Sequence, residues 1–285
     1  MVLPAHWVNM QLAGQIDPLD RGLVYGDGLF ETLRYEKDRY HLLQAHMERL
    51  QHGCKVLEIP CPESRIADQF AATADYLAAA ACGSATVRLL LTRGNALDQT
   101  EGRGYGGEHE QPSVVMSAFA TSLPWRSELP ALTLRTCEYQ LPRHPRLAGI
   151  KHCNRLDQVL AARELRRHGF NEGLLYDLEG HLISGVAANV FLVLDGVLVT
   201  PELSNCGIAG TVRDALLSIV APRCGLRVAE RSLGAADIQR ASEIFLTSSL
   251  QGVRQVAIVD GVEFPEHSVT DQLRHSFCDW SEEAA

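Results

Sequence analysis

Lys151 stands in the run Leu147-Ala148-Gly149-Ile150-Lys151-His152-Cys153-Asn154-Arg155-Leu156, between a short apolar approach and the start of a helix. An amine held there can be half buried, and burial favours the neutral form that adds to a carbonyl to make a Schiff base. The alternative is a solvated lysine at a helix start, the commoner fate of this residue type. The first reading gains weight from cations and hydroxyls spread along the rest of the chain.

A Schiff-base lysine needs an aldehyde held against it. For pyridoxal phosphate that means an anion site, a contact at the ring nitrogen and a polar group near the phenolic oxygen. Cys206-Gly207-Ile208-Ala209-Gly210-Thr211 places a glycine-flanked turn before the helix that carries Arg213. Such a turn exposes N–H groups at the positive end of a helix dipole. Arg49, in His46-Met47-Glu48-Arg49-Leu50, sits beside an apolar stripe and can turn inward as a counter-ion or stay solvated. Ser249 closes an apolar strand and offers a hydroxyl, to an anion or to its own turn. Arg103 and Arg143 are candidates to meet carboxylates of a small-molecule substrate.

Other chemistries are disfavoured. The eleven histidines include no H-E-x-x-H and the eight cysteines no C-x-x-C, so no metal centre is expected. The cysteines, Cys153 included, read as small buried side chains in a reducing compartment. A formal net charge of −9 argues against a nucleic-acid partner. The basic runs at 143–146 and 163–167 are respectively broken by proline and carried on a helix. No signal peptide and no apolar run of membrane-spanning length are visible, so a cytoplasmic protein with no membrane partner is expected.

The elements that must position these residues can be read from periodicity. Residues 7–13 and 29–35 alternate as strands. Leu43, Met47, Leu50, Cys54 and Leu57 recur at spacings of four and three, predicting a helix, and Ile66, Phe70, Ala74 and Leu77 predict another after Pro62. Strands follow at Val87-x-Leu89-x-Leu91 and at 114–119, separated by a glycine-rich loop over 94–111. Proline-bearing residues 121–130 read as a linker between a smaller domain (1–120) and a larger one (131–285) that carries Lys151. In the second half, a strand at 132–137 precedes a helix over 154–168 that stops at Gly169. Strand–turn–strand patterns at 173–183 and 189–200, the latter folded at Asp195-Gly196, and helices at 211–220 and 269–280 complete it. Without regular βαβ alternation, each half is expected to be α+β, with the site between the two.

Taken in order, these pieces resemble a known family. Arg21-Gly22-Leu23-Val24-Tyr25-Gly26-Asp27-Gly28-Leu29-Phe30-Glu31-Thr32, His46-x-x-Arg49-Leu50, Thr92-Arg93-Gly94, Gly102-Arg103-Gly104-Tyr105, Lys151, Ala187-Ala188-Asn189-Val190-Phe191 and Gly207-Ile208-Ala209-Gly210 are similar to the signatures of the fold-type IV pyridoxal-phosphate enzymes, also called class IV aminotransferases. The resemblance spans nearly the whole chain. It implies pyridoxal 5'-phosphate as cofactor, a Schiff base on Lys151, and a phosphate held by Arg49, the Ile208 and Ala209 backbone and Ser249. It implies Arg155 near the phenolic oxygen, Tyr25, Arg103 and Tyr105 on the substrate side, and a homodimer. The flanks of Lys151 most resemble the family's lyase branch, in which loss of an enolpyruvyl group leaves an aromatic amine. Branched-chain and D-amino-acid transaminases usually differ just after the lysine. A cofactor-binding protein without catalysis is the remaining alternative.

One position departs from the family. Where relatives usually carry a glutamate against the pyridine nitrogen, this chain has Ser184. An adjacent anion keeps that nitrogen protonated; a serine supplies a hydrogen bond without charge. Either another acid reaches the ring, or the cofactor is a weaker electron sink here. A weaker sink penalises transamination more than an elimination driven by aromatisation.

Overall fold

The computed structural model describes residues 2–96, 105, 110–121 and 129–283. Arg103 and most of the expected linker lie outside them. The chain is α+β and divides into two units, Met1–Ser122 with Ile150–Asn154, and Leu123–Gly149 with Arg155–Ala284.

The first unit contains β1 (Ala5–Val8), β2 (Gln11–Leu12), α1 (Arg21–Tyr25), β3 (Gly28–Glu36), β4 (Arg39–Tyr40), α2 (Leu43–Leu57), α3 (Glu63–Ala79), β5 (Ser84–Ala96) and β6 (Glu110–Ala120). Its sheet runs β2-β1-β6-β5-β3-β4, antiparallel throughout. The expected strand over 7–13 is folded into a hairpin, because Asn9 and Met10 adopt φ of 48° and 72°. β5 and β6 reach further into the glycine-rich segment than the composition suggests. The first-turn residues of α1 hang on Asp20, whose carboxylate accepts from Gly22 N–H at 2.8 Å.

Alternation along β3 sends Leu29, Glu31, Leu33 and Tyr35 to one buried face, opposite Leu91, Leu89, Val87 and Ala85 of β5. α2 lies close on that face: a Cβ at Gly53 would sit 2.7 Å from a Leu29 methyl. The lysine segment belongs here too. Phe30 N–H donates to the Lys151 carbonyl at 3.0 Å and Cys153 N–H to the Gly28 carbonyl at 2.9 Å. The reading of Lys151 as part of the C-terminal domain therefore meets a backbone pairing that attaches it to β3.

The second unit contains β7 (Leu132–Leu141), α4 (Leu156–Arg167), β8 (Gly173–Asp177), β9 (Leu182–Gly185), β10 (Asn189–Leu194), β11 (Val197–Pro201), α5 (Thr211–Ala215), α6 (Ala221–Arg223), β12 (Arg227–Arg231), α7 (Ala235–Arg240), β13 (Glu243–Ser248), β14 (Gly252–Val259), β15 (Val262–Glu263) and α8 (Ser268–Glu283). Its sheet runs β12-β11-β10-β13-β14-β7-β8-β9, with β15 on β14. Leu174, Leu192, Leu246 and Val256 are among the side chains of one core cluster. Cys137, Leu165, Leu175 and Ile183 belong to another, against α4. α4 starts two residues later than its periodicity suggests, since Asn154 is tied to the first unit through Nδ2 donation to the Gly26 carbonyl at 3.1 Å. The helix expected at 211–220 runs on to Arg223 through a π turn at Leu216–Val220. Pro222 has no N–H to donate and crowds the carbonyl one turn back, which the wider turn accommodates.

Candidate active site

In the first unit, chemistry gathers where α2 crosses β3. Glu31 is buried on the otherwise apolar face of β3. It accepts from Arg49 Nε at 2.8 Å, from Arg49 Nη2, and from His46 Nδ1 at 2.6 Å. Burial alone would raise the Glu31 pKa; the Arg49 charge and hydrogen bond, with His46, outweigh it and hold the carboxyl down to about 2. His46 is shifted the other way, below its ordinary value. Burial is the main cause, partly offset by Glu31 and reinforced by the charges of Arg49 and Lys151. The imidazole is thus neutral near pH 7 and donates from Nδ1. The amine of Lys151 lies 4.3 Å from the centre of the Phe30 ring.

Beside it, the signature around Gly26 builds a second polar group. The Asp27 carboxylate accepts from Arg21 Nε at 3.0 Å and Arg93 Nε at 2.8 Å. Arg93 also donates to the Leu57 and Glu58 carbonyls at the end of α2, at 2.6 and 2.9 Å. Arg21 donates to the Tyr105 carbonyl at 2.8 Å and lies 5.0 Å from the Tyr25 ring centre. The Tyr25 and Tyr105 rings are 5.4 Å apart. The two tyrosines singled out from sequence do stand together, Tyr105 exposed.

The second unit holds the glycine turn rigidly. Gly149 N–H donates to the Gly207 carbonyl and Ala209 N–H to the Gly149 carbonyl, both at 3.0 Å. Asn189 Nδ2 donates to the Ile208 carbonyl at 2.8 Å. The Ala209 amide, expected as a phosphate donor, is therefore engaged by Gly149. The first bond of the following helix is Asp214 N–H to the Gly210 carbonyl at 2.9 Å. The Val212 and Arg213 amides precede it, at the N-terminal end of α5. Across from Asn189 on β13 stands Thr247, whose buried Oγ1 has no hydrogen-bond partner among the described residues, and Ser249 follows in the turn after that strand. Arg155 precedes the first turn of α4 and is half buried. Arg143 is bound to Glu179 and, at 2.8 Å, to the Asn205 side chain.

Ser184 is buried on β9, and its Oγ donates to the Gly185 carbonyl at 2.7 Å. The nearby acid is Glu172, which accepts from the Gly173, Val186 and Ala187 amides at 3.0, 2.6 and 3.3 Å. It faces Gly185, where an added Cβ would lie 3.2 Å from its Oε1. Neighbouring strand residues point to opposite faces, so Glu172 lies on the other side of the strand from the Ser184 side chain.

Comparison with known proteins came out consistently. The amino-transferase class IV profile matches residues 28–259. The chain is 33% identical over 267 residues to an aminodeoxychorismate lyase of Vibrio harveyi, covering 92% of this chain and 93% of that protein. A crystal structure of 4-amino-4-deoxychorismate lyase from Pseudomonas aeruginosa superposes with a TM-score of 0.85 at 36% identity, covering 96% of this chain and 98% of that one. A branched-chain-amino-acid aminotransferase of Escherichia coli K12 is 27% identical over 295 residues, covering 95% and 91%.

Two outcomes are expected. A Cβ at Gly210 would sit 2.1 Å from Asn189 Oδ1, so Gly210→Ala should displace Asn189 and the turn it anchors. We expect a loss of roughly 1–3 kcal/mol in urea unfolding; an unchanged midpoint would refute the tight packing. Glu31 has a folded pKa of about 2, below its ordinary 4.5, so its stabilising contribution is complete above about pH 4.5 and lost as pH falls toward 2. Acid unfolding followed by circular dichroism should be less steep through that window in Glu31→Gln than in the parent protein.

Proposed function

The chain belongs to the amino-transferase class IV family, and on that premise we propose that it is a lyase converting 4-amino-4-deoxychorismate to 4-aminobenzoate and pyruvate. Its cofactor is pyridoxal 5'-phosphate. Bound, that group supplies an aldehyde that condenses with amines and a ring that accepts electrons from a broken C–H bond.

The donor set fits the group. An arginine with one edge of its guanidinium already fixed, the amides that open α5, and the hydroxyl of Ser249 are suited to a phosphate. Thr247 Oγ1, buried without a hydrogen-bond partner among the described residues, is a further donor for a bound molecule to satisfy. Lys151 supplies the amine and, once released, a base for the proton on the amine-bearing carbon of the substrate. The same amine can return that proton to the departing enolpyruvyl fragment, which leaves as pyruvate while the ring becomes aromatic. Tyr25, Tyr105 and Arg103 are assigned to the substrate side and Arg155 to the cofactor's phenolic oxygen. The enzyme is read as a cytoplasmic homodimer; among the described residues no helix is long and apolar enough to cross a membrane.

The observation that favours the lyase over a transaminase is Ser184. With Glu172 on the opposite side of its strand, Ser184 would offer the ring nitrogen a hydroxyl where a carboxylate would strengthen the electron sink. Aromatisation supplies driving force that transamination lacks.

Purified enzyme given 4-amino-4-deoxychorismate should release 4-aminobenzoate and pyruvate in equal amounts with no keto acid added, and Lys151→Ala should release neither. Dependence on a keto acid acceptor would instead identify a transaminase. Ser184→Glu should raise the alanine half-reaction relative to lyase turnover; no gain would defeat the electron-sink argument.

A further inference from the structure

Glu31 occupies a position that apolar neighbours would fill at lower cost. Leu29 and Leu33 flank it on the same buried face, and desolvating a carboxylate is expensive even when it is paired. Buried ion pairs are on balance close to neutral for stability, so stability alone gives little reason for this one. Its geometry gives another. The carboxylate takes the Nε and Nη2 side of the Arg49 guanidinium, which leaves the Nη1/Nη2 edge as the one turned away from Glu31. A guanidinium held along its Nε/Nη2 side has its plane and direction set by the protein, the condition under which arginine recognises a phosphate with defined geometry. His46, one turn before Arg49 on α2, grips the same carboxylate at 2.6 Å, so the anchor is itself held from two directions.

We propose that Glu31 is the positioning residue of the phosphate site: with His46 it fixes the Arg49 guanidinium, and so orders that arginine before the phosphate of the cofactor arrives. The proposal rests on the reading of Arg49 as a phosphate ligand. Two effects of Glu31 oppose each other. Its negative charge repels a phosphate, whereas its fork removes the rotamer freedom that Arg49 would otherwise lose on binding. The bidentate pairing and the second grip from His46 favour the second effect. Gln cannot reproduce the arrangement, because its amide N–H₂ must face either Arg49 Nε, at the Oε1 position, or both Arg49 Nη2 and His46 Nδ1–H, at the Oε2 position, donor against donor. Asp keeps the charge but is one methylene too short to hold both partners.

The test compares equilibrium binding of pyridoxal 5'-phosphate and of pyridoxal, which lacks the phosphate, by absorbance titration of the apoenzyme. Glu31→Gln and Glu31→Asp should each weaken pyridoxal 5'-phosphate by on the order of tenfold, about 1.4 kcal/mol, and leave pyridoxal within about twofold. In an Arg49→Met background, adding Glu31→Leu should change neither affinity; this pair also serves if Glu31→Gln alone fails to fold. Equal losses for both ligands, unchanged or tighter pyridoxal 5'-phosphate binding in Glu31→Gln, or full retention in Glu31→Asp would overturn the positioning role. If Arg49→Met itself leaves the preference for the phosphorylated ligand intact, the assignment of Arg49 fails, and the role of Glu31 falls with it.

Discussion

The backbone pairing of residues 151–153 with β3 is the constraint on which the candidate site depends. Phe30 N–H on the Lys151 carbonyl and Cys153 N–H on the Gly28 carbonyl fix where the lysine leaves the chain. From there its amine lies 4.3 Å from the centre of the Phe30 ring. Because the bonds are made by main chain, they do not depend on which side chains surround the amine. The signature Gly26-Asp27-Gly28-Leu29-Phe30 is accordingly a structural partner of the lysine, and its glycines are where the chain runs too tightly for a Cβ. At Gly28 an added Cβ would lie 2.6 Å from the Leu91 carbonyl.

Two carboxylates of β3 and the turn before it are each shared by more than one donor. Glu31 joins Arg49 and His46; Asp27 joins Arg21 and Arg93. Asp27 ties guanidinium groups from two separate elements, α1 and β5, and Glu31 ties an arginine and a histidine of α2 to β3, so these side chains become part of the frame. Fixed donors lose little freedom when they meet an anion, and that is the property a phosphate or carboxylate subsite needs.

How much of this was legible in the sequence follows from the physics of each feature. Lys151, Arg49 and the glycine turn could be found because the chemistry demands residue types at marked positions: an amine before a helix, a cation on an apolar stripe, glycines ahead of a helix. Glu31 was visible only as part of a motif. Strand alternation assigns its position to the apolar face, and nothing local reveals that Arg49 and His46 wait there. The Ala209 amide looked available because its partner, the carbonyl of Gly149, is 60 residues away in the chain. The partners of Arg143, Glu179 and Asn205, are hidden for the same reason, since they meet it only in the fold. The attachment of Lys151 to the first unit is likewise a long-range pairing that periodicity does not encode.

Ser184 remains the point at which the site departs from the expected pattern, and the fold narrows its meaning. Two explanations were open from the sequence, a substitute acid or a weaker electron sink. Glu172 is a half-buried acid near Ser184, and desolvation raises its pKa against the lowering effect of three backbone amides. Two of those amides, Val186 and Ala187, lie in the turn between β9 and β10 and the third, Gly173, opens β8, so the carboxylate ties that turn to the start of β8. Its oxygens lie on the Gly185 side of the strand. Reaching the Ser184 side would mean abandoning all three donors and crossing the strand. The weaker sink is therefore the explanation that the strand geometry favours, and a reaction driven by aromatisation is the one that tolerates it best.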